Sequence, residues 1–163
     1  SLLFTLPVFA ATTVIELSSE ASLPAVNDIA RATVSAEATG ATPGELSKQV
    51  NGLIAEALKT AKAVSGVKTQ SGGTSTYPIY SKGGKIESWR MRSDLSLEST
   101  NIAALSELLG KLQGSLIVSS VVLQPSPETR KKVENAAMLE ALGAFKARAK
   151  VISEAMGDRK SVV

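Results

Sequence analysis

Three stretches of this sequence hold side chains at spacings that chemistry uses. Ser65 and Lys68 form a Ser-x-x-Lys pair, the nucleophile pattern of penicillin-recognising enzymes, where the serine opens a helix and the lysine lies one turn on. Asp94 and Glu98 share one side of an extended segment, and paired carboxylates at ~5–10 Å perform glycosidic chemistry. Asn27-Asp28 offers oxygen atoms to a cation, and Gly72-Gly73 and Gly83-Gly84 offer backbone N–H groups to an anion. Each meets an objection. Ser65 ends a helical pattern and Lys68 begins a strand, so the hydroxyl and the amine do not share a helical turn. Arg90 and Arg92 lie on the side that carries Asp94 and Glu98, which reads as a charge ladder. Asn27-Asp28 has too few oxygen ligands nearby and reads as a turn. Neither glycine pair lies between a strand and a helix N-terminus, so both read as hairpin turns.

The whole chain narrows the chemistry further, because it holds no histidine and no cysteine. Imidazole bases, thiolate nucleophiles, Ser-His-Asp triads and Cys/His zinc sites are excluded. We expect no catalytic residue, no cofactor and no metal. Tyr77 and Tyr80 flank Pro78 near a hairpin turn. With Arg90 and Arg92 they are the candidate partner-contact residues. Trp89 lies on the core-facing side of its strand and reads as packing.

The elements that must position these residues follow from periodicity. At 163 residues, 44% hydrophobic and 20% charged, the chain reads as a single globular domain over 12–163. Aromatics are 4%, so Leu, Val, Ile and Ala must fill the core. The net charge of +3, with basic and acidic residues interleaved, suits a solvated surface and no nucleic-acid partner. Residues 1–11, SLLFTLPVFAA, read as the remnant of a signal peptide with cleavage after Ala10. No later run is long enough to span a bilayer.

A strand is expected over Thr12–Glu20, then a turn at Pro24 and Asn27-Asp28. A second strand over Ile29–Ala38 would complete a hairpin. Thr42-Pro43-Gly44-Glu45 supplies an N-cap, a proline at the first helical position and a capping-box glutamate. Leu46, Val50, Leu53, Ile54, Ala57, Leu58 and Ala61 then follow on one helical face. Val67–Tyr80 is extended, interrupted at Gly72-Gly73 and bent at Pro78. Ile86–Glu98 alternates, with Trp89, Met91, Ser93, Leu95 and Leu97 inward. A second helix spans Thr100–Leu112 with Ile102, Leu105, Leu108, Leu109 and Leu112 buried. Leu116–Leu123 is apolar enough to be a central strand. Ser126-Pro127-Glu128 opens a last helix that runs to about Met156. That helix carries a bulky stripe (Met138, Leu142, Phe145, Ala149, Ile152, Met156) and a small one (Val133, Ala137, Ala141, Ala144, Val151, Ala155). One stripe can cover a sheet; the other needs a helix or another subunit. Gly143 is a candidate bend. Lys160-Ser161-Val162-Val163 reads as the start of a truncated closing strand. The order β-β-α-β-β-α-β-α predicts an α+β fold, an antiparallel or mixed sheet packed by helices.

That order, with several local matches, resembles the SIMPL domain family. The matches are Pro24 and Asn27-Asp28-Ile29-Ala30-Arg31-Ala32-Thr33-Val34, then Leu58-Lys59, then Val67-Lys68-Thr69-Gln70 with Tyr77-Pro78-Ile79-Tyr80. Ile86–Leu97 follows, and then the final helix with Lys146-Ala147-Arg148-Ala149-Lys150 and Glu154-Ala155-Met156-Gly157. Ser88-Trp89 replaces the family's Gly-Tyr, and its Gly-rich approach to the fifth strand is reduced to Gln113-Gly114. The resemblance implies an exported protein of the Gram-negative envelope, in the periplasm or associated with the outer membrane. It also implies no established catalytic centre, a link to envelope and oxidative stress, and a tendency to form oligomers. The leading expectation is a non-catalytic protein that acts through self-association, as a homo-oligomer, or through an envelope protein partner. The alternatives are a hydrolase using carboxylate or Ser/Lys chemistry, and a peptide- or ligand-binding module that uses an open sheet edge.

Overall fold

The computed structural model describes residues 14–157. The elements are β1 (Ile29–Gly40), α1 (Pro43–Lys62), β2 (Val67–Tyr80), β3 (Ile86–Ser99), α2 (Ile102–Leu112), β4 (Ile117–Gln124) and α3 (Pro127–Ala155). The fold is α+β, as expected. The described chain divides into two compact units, residues 25–131 and a second that joins 14–24 with 132–157.

Residues 25–131 build one four-stranded sheet in the order β2-β3-β1-β4, with every pair antiparallel. This β-α-β-β-α-β succession with interleaved strands is a ferredoxin-like arrangement. Helix α1 packs on β1, β2 and β3, and α2 on β1 and β3. The sheet face under the helices holds the core. Ala30, Ala32, Val34, Ala36 and Ala38 come from β1, and Met91, Leu95 and Leu97 from β3. Leu46, Val50, Ile54, Ala57 and Ala61 come from α1, and Leu105, Leu108, Leu109 and Leu112 from α2. Small side chains down the middle of β1 leave room for the larger ones of the helices, which is how a mixed layer reaches interior packing density.

Local chemistry sets the element ends. The Thr42 side chain accepts the Glu45 N–H at 3.4 Å and caps α1, and Pro43 occupies its first turn. Asn101 caps α2 by accepting the Ala104 N–H at 3.0 Å. Ser99 is buried. It donates to the Gly66 carbonyl at 2.9 Å and accepts the Asn101 N–H, which ties the end of β3 to the loop before β2. The turn between β2 and β3 closes through Ser81 and Lys85, with Gly84 at φ 75°. The β2 register slips between Ser71 and Thr74, so Gly72-Gly73 is a bulge within one strand and not the expected hairpin turn, because the chain on both sides pairs with β3.

Several expectations change. Residues 14–28 hold no strand, and Val14 and Ile15 are exposed. The cause lies in the topology: β1 is already flanked by β3 and β4, so a hairpin partner preceding it has no edge to pair with. The strand expected to be central is β4, at the sheet edge, paired with β1. The helix layer is centred on the other three strands, so Ile117, Val121, Val122 and Leu123 are each between 49% and 54% exposed. Ile102 is exposed, because it opens α2 one turn before the buried stripe begins. In α3 no residue is fully buried. The bulky Met138, Leu142, Phe145 and Met156 are exposed, while the small Val133, Ala137 and Ala141 are half-buried. The helix continues through Gly143 without interruption. The signal-peptide segment and the closing strand lie outside the described residues.

Candidate functional site

The face of the sheet opposite α1 and α2 carries the polar side chains that β1, β2 and β3 alternate away from the core. Register sets them in rows. Lys68, Glu98 and Arg31 align at one end. Ser35 and Asp94 align in the middle. Next come Glu37, Arg92 and Ser75, then Thr39, Arg90 and Tyr77.

A hydrogen-bonded knot occupies the centre. Ser35 is fully buried, and its hydroxyl donates to Asp94 Oδ1 at 2.7 Å. A hydroxyl has one proton, so the Ser35–Ser119 bond of 2.7 Å must have Ser119 as donor. Arg92 Nη2 donates to both serines, at 2.7 and 2.9 Å, and Arg92 Nε donates to Asp94 Oδ1 at 2.9 Å. Both lone pairs of Ser35 Oγ are thereby occupied. The Ser35 hydrogen bond, and then Arg92, hold the Asp94 carboxyl below its ordinary value. This arrangement joins β1, β3 and β4 through side chains. It leaves Ser35 Oγ neither exposed nor free to attack a substrate.

Two shallow depressions flank the knot. One, of about 540 Å³, is lined by Glu37, Tyr77, Pro78, Ile79, Arg90 and Arg92. Arg90 Nε lies 3.5 Å from Glu37 Oε1. The other, of about 300 Å³, is lined by Arg31, Lys68, Thr69, Gln70, Ser96 and Glu98. There the Arg31 guanidinium pairs with Glu98. Among the described residues no group of acidic side chains could hold a metal ion. Guanidinium beside aromatic and aliphatic surface suits contact with a side chain that has an anionic end and an apolar stem.

A second polar centre lies at the start of β1. The Asp28 carboxylate accepts from the Thr129 hydroxyl, the Ser126 N–H and the Ser126 hydroxyl, the last at 2.9 Å. The Ser126 oxygen in turn accepts the Thr129 N–H at 3.1 Å. These donors, the Thr129 hydroxyl foremost, lower the Asp28 carboxyl from 3.8 to about 2. Asp28 therefore anchors the first turn of α3.

The profile of SIMPL, described as a protein of unknown function (DUF541), matches residues 15–163. The chain belongs to the SIMPL family. A search of curated proteins finds no match. Three solved structures are similar to parts of this SIMPL chain. One is described as AtUAH in complex with glyoxylate. It has 18% identity over 60% of this chain and 30% of that one, with a TM-score of 0.34. An amidase of the hydantoinase/carbamoylase family from Burkholderia multivorans has 9% identity over 58% of this chain and 27% of that one, with a TM-score of 0.32. An amidohydrolase/peptidase from Burkholderia cenocepacia has 11% identity over 58% of this chain and 26% of that one, with a TM-score of 0.30. The SIMPL chain thus spans less than a third of each.

Of the four residues that the sequence singled out, Tyr77, Arg90 and Arg92 line one depression. Tyr80 is exposed at the end of β2 and is not among the lining residues. Of the ladder expected from Asp94, Glu98, Arg90 and Arg92, Asp94 pairs with Arg92, whereas Glu98 pairs with Arg31 and Arg90 with Glu37, both on β1. Trp89 packs partly buried against the core. The sequence did not single out Ser35, Ser119 or Glu37. A faint signal existed: Ser119-Ser120 interrupts an otherwise apolar strand, and Ser35 and Glu37 continue the polar parity of Arg31.

Proposed function

We propose that this SIMPL protein acts by association. In this reading it is a non-catalytic protein exported to the periplasm, where it binds further copies of itself or an envelope partner. Envelope stress is the setting that the family resemblance suggests. The observation that supports association is the apolar surface left outside the core: Ile117, Val121, Val122 and Leu123 on β4. They lie along one strand, Val121 and Leu123 on its helix side and Ile117 and Val122 on the other, and apolar surface grouped in this way marks interaction sites. The polar centre of the sheet is consistent with binding, since its serine is buried and saturated.

Light scattering on the mature chain from ~1 to ~100 μM, spanning the micromolar affinities of weak complexes, tests self-association. A concentration-dependent rise in mass is expected, and a strict monomer throughout would remove that half of the proposal. Fractionation of the producing cells tests export, and recovery of the intact, unprocessed chain from the cytosol would overturn it.

A further inference from the structure

We infer that the exposed edge of β4 is where a second copy of this chain attaches, by antiparallel strand-to-strand pairing about a two-fold axis. The inference rests on the association reading and names the surface for it.

The two edges of the sheet are built differently. β2 carries the devices that keep sheet edges from pairing: Lys68 near its start, a bulge at Gly72-Gly73 and Pro78 near its end. A lysine penalises a matching strand, a bulge breaks the ladder and a proline lacks an N–H to donate. β4 reads Ile-Val-Ser-Ser-Val-Val-Leu-Gln, with no charge and no proline. Its single irregularity lies against β1, where the register shifts beside Ser119. Among the described residues β4 pairs with β1 and nothing else.

The composition of β4 also favours a copy of itself. In an antiparallel two-fold seam residue i meets residue j of the partner and j meets i, so residues beside the axis meet their own copies and a charge there faces its own sign. An uncharged strand avoids that penalty. Val121 and Leu123 would extend the helix-side apolar layer across the joint, because they sit opposite Ala32 and Ala30 of β1. Val122 and Ile117 lie opposite Arg31 and Ser35 and would meet their counterparts on the other face. Eight residues at 3.4 Å give a seam roughly 27 Å long, which places the interface with small, reversible ones.

The test uses the full chain and two lysine substitutions. Val121→Lys sets like charges beside each other at the seam. Ser75→Lys places the same charge on the opposite edge strand. Sedimentation across the micromolar range should show the dissociation constant raised about tenfold or more by Val121→Lys and unchanged by Ser75→Lys, with circular dichroism confirming both folds. Equal association of Val121→Lys and the parent chain overturns the β4 seam but leaves the association reading standing. A monomeric parent chain overturns both. Amide hydrogen exchange on the parent chain gives an answer even where the variant fails to fold. Protection over Ile117–Gln124 should rise with protein concentration. Protection that does not change with concentration, as when residues of the same chain occupy the edge, overturns the proposal.

Discussion

Ser35 shows how much one hydroxyl can organise. It receives two hydrogen bonds and gives one, and three strands meet through it. Ser35→Ala takes one hydrogen bond from Asp94 and one from Arg92; both side chains are 37% exposed and water replaces part of what is lost, so the cost should be about 1 kcal/mol. Urea denaturation should register that loss, and the Asp94 carboxyl should titrate closer to its ordinary value. Asp28 gives a pH-dependent counterpart. Its folded-state value lies below the ordinary one, so its contribution to stability is complete above about 3.8 and is lost as pH falls through about 2. Asp28→Ala should therefore lower the melting temperature at neutral pH, and the gap from the parent chain should close in strong acid. Neither role was legible from local pattern. Asp28 reads as half of an Asn-Asp turn, and its partners stand 98 and 101 positions away. Tyr77 and Arg90 were legible as exposed side chains of neighbouring strands, because alternation alone assigns their face.

At the level of elements, the glycine bulge in β2 makes a sharp contrast. A Cβ on Gly72 would lie 2.9 Å from Asp94 Cβ and 3.0 Å from the Asp94 carbonyl oxygen, whereas a Cβ on Gly73 meets nothing within 4 Å. Gly72→Ala should destabilise by about 1–3 kcal/mol through forced displacement of β3, and Gly73→Ala should stay within roughly 0.5 kcal/mol. Thermal unfolding of the two variants side by side checks this. Periodicity found α1, α2, α3 and all four strands of the sheet, since capping residues and alternation are local. It could not place β4. An apolar run tells how much surface a strand hides, not which neighbour hides it. The same limit produced the strand expected over Thr12–Glu20, whose described residues 14–20 hold none: the pattern is plausible but the partner edge is already taken.

For the whole molecule, the chemistry of the β4 surface predicts how association should respond to solvent. An uncharged seam has little to screen, so the dissociation constant should change less than about threefold between low and high salt, where an interface of surface ion pairs would weaken markedly. Sedimentation at two ionic strengths decides between them. The order of the sheet carries a further consequence, for the timing of synthesis. β1 is the first strand of the sheet to be made, and it sits between its two neighbours. Its partners, Ser99 for Ala30 on one side and Gln124 for Ile29 on the other, are translated long afterwards. A growing chain therefore cannot complete its sheet until β4 has emerged, and such long-range pairing is slow to form. A protein whose earliest strand must wait for its latest ones stays open while it is being made. That delay would suit a polypeptide that has to be threaded across a membrane before it folds.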